Sequence, residues 1–128
     1  MNIFVICLVR LGVSEEATKY VSELESQGHK VIYPPRDTEQ DDETGYNICK
    51  GNLKGIKWAD RVDIFYSALS QGIHFDLGQA FALNKKIKIV KILEANNPTY
   101  PVTNNSNSKS FPRMLEVWES KHKHKIVY

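Results

Sequence analysis

The segment Ser70-Gln71-Gly72-Ile73-His74-Phe75-Asp76-Leu77-Gly78 gathers a hydroxyl, an imidazole and a carboxylate around a flexible glycine. Gly72 lets backbone approach a ligand, and the exposed N–H groups of a starting helix favour an anion. Asp76, expected near the first turn of that helix and ionised there, either serves a ligand or only complements the helix dipole. Ser70, His74 and Asp76 have the residue types of a nucleophilic triad. There is no GxSxG elbow, however, and residues this close in sequence rarely meet in triad geometry. Asn52 is a second focus, because Ile48, Asn52, Ile56 and Ala59 share one helix face and turn its amide inward with an apolar stripe. Arg10 follows the longest apolar run, and Arg36 and Asp37 open a polar loop whose last seven positions, to Glu43, hold five carboxylates. His122 and His124 alternate with Lys121, Lys123 and Lys125, a spacing typical of a solvated helix flank, so no metal set emerges. A dinucleotide fingerprint is missing, since only Gly12 follows the first strand.

Positioning these residues requires β-rich runs that alternate with helix-period segments, the order of βαβ units on a mostly parallel sheet. Ile3 to Val9 is apolar on both faces, as a central strand between two helix layers must be. Ser14 caps a first helix with Glu15 and Glu16 in its first turn and Ala17, Tyr20, Val21 and Leu24 on one face, and Gly28 ends it. Lys30 to Tyr33 reads as a second strand, and Pro34 and Pro35 stop both strand and helix there. Thr44 caps a helix running through Trp58. Val62 to Tyr66 is a third strand, followed by a helix carrying Leu77, Ala80, Phe81 and Asn84, and Ile87 to Leu93 is a fourth. Glu94 to Ser110 lacks any period. Phe111, Met114, Leu115 and Trp118 form a last helical stripe, and Ile126 to Tyr128 is expected as a short fifth strand.

Length and composition narrow the function classes. A chain of 128 residues with 41% hydrophobic and 25% charged residues is an ordinary globular domain. Its net charge of +2 argues against a general polyanion binder, so no nucleic-acid partner is expected. Cys7 and Cys49 make no CxxC pair, which fits a reduced cytoplasmic setting. The run from Ile3 to Val9 is too short to cross a bilayer, so no membrane partner is expected.

Four stretches resemble a known family: Tyr33-Pro34-Pro35-Arg36-Asp37, Asn52 to Asp60, Ser70 to Ala80, and the final Val127-Tyr128. They are similar to the nucleoside 2-deoxyribosyltransferase superfamily over nearly the whole chain. The resemblance implies a flavodoxin-like α/β fold, a five-stranded parallel sheet with helices on both faces in one domain spanning 1–128. It implies cleavage or transfer at the N-glycosidic bond of a nucleoside or its 5′-monophosphate, without metal or cofactor, by a homo-oligomer of two or more chains. Asp76 stands where the family carries a nucleophilic Glu, and Asn52 where it carries an Asp that helps protonate the departing base. An Arg after the first strand and a Ser at position 70 resemble members acting on 5′-monophosphates, which implies that Arg10 and Ser70 hold phosphate. The alternative for Arg10 is a pairing with the acidic loop. Arg36, Asp37, Gly72 and His74 are expected among the substrate-binding residues. Tyr128 resembles the family's terminal Tyr, which reaches the pocket, the alternative being a purely structural end strand. The two replacements also leave room for a nucleotide-binding module of the same fold without turnover, and the basic C-terminal flank for a small interaction protein.

Overall fold

Branched and aromatic side chains on both faces of Asn2–Ile6 (β1) suit a strand buried between two layers of helix. A computed structural model describes residues 1–7, 15–93 and 110–126. After β1 come α1 (Glu15–Ser26), β2 (Lys30–Ile32), α2 (Pro34–Asp37), α3 (Tyr46–Trp58), β3 (Arg61–Ser67), α4 (Gln71–Ala82), β4 (Lys86–Leu93) and α5 (Phe111–Ile126). The strands lie in the order β2-β1-β3-β4, and every neighbouring pair is parallel. Phe4 of β1 stands opposite Ile32 on one side and Val62 on the other. Strand order therefore reverses between β1 and β3, the place where ligands gather in open parallel sheets.

Alternation along β1 divides the core in two. Ile3 and Val5 pack with Ala17, Val21 and Leu24 of α1. Phe4 and Ile6 belong to the opposite cluster, with Ile56 of α3, Leu77 and Ala80 of α4, and Leu115 and Trp118 of α5. On the face covered by α1 a charge is fully enclosed: Asp63 of β3 is 0% exposed. Its oxygens accept from Tyr20 Oη at 2.5 Å and from Arg61 Nε and Nη2 at 2.6 and 2.9 Å, so the charge is paired as well as buried. On the other face α3 lies so close to β1 that a Cβ at Gly55 would stand 2.6 Å from Phe4 Cε2. Only a residue without a side chain fits there.

Three expectations need correction. The described sheet has four strands where five were expected, and Ile126 ends α5 instead of opening a strand. At β4 the Ile89 N–H donates to Glu119 Oε2 of α5 at 2.6 Å, so a side chain takes a role that a pairing strand's carbonyl would have. Pro34 and Pro35 do not interrupt all regular structure but begin the one-turn helix α2, because proline at the first helical positions loses no hydrogen bond. Thr44 is not the principal cap of α3. Asp42 Oδ2 accepts the N–H groups of Asn47 and Ile48 at 2.8 and 3.2 Å, and Gly45, at φ +80°, supplies the left-handed turn between them. Arg10, Ser14, the stretch 94–109 and Tyr128 lie outside the described residues. Among the described residues no helix is long and apolar enough to cross a membrane.

Candidate functional site

Two helices that flank β3 in sequence bring one polar residue each to a shared seam. The Gly55 contact with Phe4 seats α3, and its inward stripe of Asn52, Gly55 and Ile56 follows. Ser70 caps α4, with Oγ accepting the Ile73 N–H at 3.2 Å, and Ile73, Asp76, Leu77 and Ala80 form the buried side of that helix. Where the seams meet, Asn52 Nδ2 donates to Asp76 Oδ2 at 3.2 Å. Both residues are nearly enclosed, at 6% and 9% exposure. Thr38, just past α2, completes a chain of three by donating from Oγ1 to Asn52 Oδ1 at 3.4 Å. Since a carboxylate only accepts, this chain fixes which end of the amide faces Asp76.

The setting of Asp76 differs from the sequence expectation. It lies in the second turn of α4, beyond the acid-free first turn, so the helix N-terminus does not govern its charge. Burial pushes its carboxyl up to about 6, while the Asn52 N–H pulls in the other direction. A group with that value is still mostly ionised at pH 7, and it titrates where a carboxyl in water would not.

Ser70 and His74 form a separate assembly. The Ser70 carbonyl can only accept, so the His74 ring donates from Nδ1 to it at 2.6 Å, and its Nε2 is hydrogen-bonded with the Tyr66 hydroxyl at 2.8 Å. Phe111 of α5 packs on the imidazole edge to face, with centroids 4.6 Å apart. Two positions along a helix amount to about 200° of rotation, so His74 faces α5 while Asp76 faces α3. The structure thus joins Ser70 to His74 but neither to Asp76, and the triad geometry is not formed. Gly72 is exposed in the first turn of α4.

Arg36 and Asp37 are committed to each other and to the scaffold. Arg36 donates from Nε and Nη2 to Asp37 at 2.7 and 2.9 Å, from Nη1 and Nη2 to Glu25 of α1 at 2.9 and 3.3 Å, and from Nη2 to the Val31 carbonyl at 3.1 Å. Asp37 also accepts the Tyr33 N–H at 2.8 Å. Burial works against its charge, but Arg36 and that N–H outweigh it and hold the carboxyl below its ordinary value. This is the geometry of a clamp between α1 and α2, not of an open anion site. Arg10 and Tyr128 fall outside the described residues.

Thr38 escaped the reading of the sequence, and Tyr66 and Phe111 entered it only as strand and helix positions. Thr38 carries no local signal, because its partner Asn52 is fourteen positions away. A cleft of about 720 Å³ also lies beside α3, walled by Ile32, Thr38, Asp41, Asp42, Lys54 and Trp58. A smaller one of about 180 Å³ lies against Tyr33 and Arg36. Neither is lined by Asn52 or Asp76. Among the described residues no group of three or more His, Cys, Asp and Glu could hold a metal ion.

No protein-family model and no curated protein matches the sequence. Solved structures do resemble it. A 2-deoxyribosyltransferase from the psychrotolerant bacterium Bacillus psychrosaccharolyticus is 23% identical, with a TM-score of 0.53 over 73% of this chain and 77% of its own. A CMP N-glycosidase of Clostridium botulinum is also 23% identical, with a TM-score of 0.49 over 70% of each chain. The likeness to the deoxyribosyltransferase shows a common α/β fold.

Proposed function

We propose that this chain is an enzyme of the nucleoside 2-deoxyribosyltransferase superfamily. It cleaves or transfers at the N-glycosidic bond of a nucleoside or its 5′-monophosphate, with Asp76 as nucleophile and Asn52 as its orienting partner. One observation carries the reading: Asn52 and Asp76, the two residues at the family's chemical positions, meet at 3.2 Å in a nearly enclosed seam. The fold shared with a deoxyribosyltransferase supports it, as does the order β2-β1-β3-β4, which is that of the first four strands of a flavodoxin-like sheet. One domain over 1–128 and a cytoplasmic setting belong to the same proposal. So does a homo-oligomer, which the exposed Leu69, Phe75 and Phe81 support.

The carboxylate of Asp76 adds to the anomeric carbon, the base leaves, and the glycosyl ester is then released to water or to an acceptor base. Ionisation must precede attack, so the rate rises with pH through about 6 and levels off above it. Asn52 holds one carboxylate oxygen in place and leaves the other for the sugar. Arg10 and the Ser70 hydroxyl are assigned to a 5′-phosphate, and Tyr128 to the pocket wall. Arg36 and Asp37 shape the pocket's surroundings through the α1–α2 clamp instead of touching substrate.

The test is to incubate the protein with nucleosides and their 5′-monophosphates, with and without an acceptor base, and to measure free or exchanged base by chromatography. Base release that disappears in Asp76→Ala is expected. Calorimetric binding without any release would favour a nucleotide-binding module, a reading that the amide at Asn52 supports. Asp76→Glu adds the methylene that the family has. It is expected to raise the rate, because a misplacement of about 1 Å can cost ~10²-fold.

A further inference from the structure

A neutral nucleobase that departs with the bonding electron pair carries negative charge on its ring nitrogen, and a positioned acid that meets this charge contributes typically ~10²–10⁴-fold. The side chain facing Asp76 is the Asn52 amide, which donates an N–H but releases no proton near neutral pH. Its orientation is fixed by Thr38 from the other side. Among the described residues, two of the acids between β2 and α3 are engaged by other partners. Asp37 is clamped by Arg36 and the Tyr33 N–H, and Asp42 accepts the N–H groups of Ile48 and Asn47, so both have lowered pKa values. Both line the outer cleft, whose wall includes neither member of the buried pair. The His74 imidazole is turned to Tyr66 and Phe111. The pair therefore supplies a nucleophile with a neutral companion, which is half of the usual acid and nucleophile arrangement.

We infer that the Asn52–Asp76 pair acts on N-glycosides whose base is already a cation, such as pyridinium nucleosides or nucleotides with a nicotinamide-type leaving group. This rests on the N-glycosidic reading above. In such a substrate an Asp76 oxygen forms a bond to the anomeric carbon as the carbon–nitrogen bond breaks. The electron pair of that bond returns to the ring nitrogen and cancels its positive charge, so a neutral pyridine leaves with no proton added. Water then attacks the same carbon and the bond to the Asp76 oxygen breaks with its electron pair on the carboxylate. The water proton passes to that carboxylate and on to solvent. One glycoside cation and one water thus give a free sugar, a neutral base and a proton. A neutral amide beside the carboxylate adds no charge to repel the cationic ring, whereas the carboxylate attracts it strongly in a poorly solvated seam.

The experiment compares nicotinamide mononucleotide with dCMP and dGMP at equal concentration on the full chain. Base release is measured by chromatography and expressed relative to Asp76→Ala to remove spontaneous hydrolysis. Release of nicotinamide is expected to exceed that of cytosine or guanine by at least ~10²-fold, the contribution of the acid that a neutral base needs. Asn52→Asp introduces that acid and is expected to raise the ratio of neutral-base to pyridinium rates by at least ~10-fold. Release of cytosine or guanine at a rate equal to or above that of nicotinamide overturns the inference and leaves the N-glycosidic reading standing. A folded Asn52→Asp with an unchanged ratio also overturns it. No release from either class by the unaltered chain overturns both.

Discussion

Replacing Asp76 with Asn separates the charge of this site from its shape. The amide is nearly isosteric, and its oxygen can still accept from Asn52 Nδ2, so only the ionisable proton is lost. In the folded chain the Asp76 carboxyl is raised from 3.8 to about 6, chiefly by burial. Its raised value means that the folded state holds the proton more tightly than the unfolded state does. The resulting stability is fully present below about pH 4 and is lost as pH rises through about 6. A shift of roughly two units at 1.36 kcal/mol each corresponds to about 3 kcal/mol. Asp76→Asn is therefore expected to match the parent near pH 4 and to exceed it by up to about 3 kcal/mol at pH 7 and above. With a typical urea dependence this is a midpoint shift on the order of 1 M or more. Urea titrations of both proteins at pH values from 4 to 8 give the difference curve, in which the other carboxyls cancel. A difference that is flat over this range, or a parent that gains on the variant as pH rises, refutes the burial of a charge at Asp76.

Three further perturbations test the scaffold. Gly55→Ala forces a methyl group to within 2.6 Å of the fully buried Phe4 ring. Overpacking outweighs the helix-propensity gain, for a net loss of roughly 1–2 kcal/mol in thermal or urea unfolding, and a stabilised variant would disprove the close approach. Tyr20→Phe removes one hydrogen bond to the enclosed Asp63 carboxylate and is expected to cost about 2 kcal/mol, whereas Asp63→Ala leaves Arg61 without its partner and costs about 3–5 kcal/mol. Equal losses from the two variants would contradict the network. Ser70→Ala removes the α4 cap and is expected to lower stability by about 1 kcal/mol, while Ser70→Gly loses only a few tenths, and unfolding curves that overlay the parent's in both cases would show the cap to be idle.

Local pattern revealed much of this fold, and distance in sequence concealed the rest. The unbroken apolar character of β1 and the regular stripes of α1 and α3 each reflect burial that a single element must satisfy. The inward face of Asn52 was legible in the same way, from spacing alone. What it faces was not, because its partners Asp76 and Thr38 come from elements joined only by tertiary packing. Pro34 and Pro35 show the same limit on a smaller scale. A proline pair bars the middle of a helix and favours its beginning, and the choice depends on whether the next residues can close a turn. Here the Arg36 and Asp37 N–H groups both donate to the Tyr33 carbonyl, which settles it. Arg36 looked available for a ligand because its acceptors, Glu25 and the Val31 carbonyl, meet it only once α1 and β2 are side by side.

The carboxylate at Asp76 raises a question that packing does not answer. An amide at this position would keep the hydrogen bond to Asn52 and have no charge to bury, and about 3 kcal/mol is a large part of the roughly 5–15 kcal/mol that holds a domain folded. Asp63 is buried more deeply, yet two donors from Arg61 and one from Tyr20 compensate its charge, so that carboxylate is intelligible as structure. Among the described residues Asp76 has a single neutral donor. A poorly compensated anion in an apolar seam is a strained ground state for folding but a reactive one for attack on an electron-poor carbon, since the solvent that would weaken it as a nucleophile is already gone. The contrast between these two acids, of which Asp63 has three donors and Asp76 one among the described residues, is what supports the proposal of Asp76 as a nucleophile.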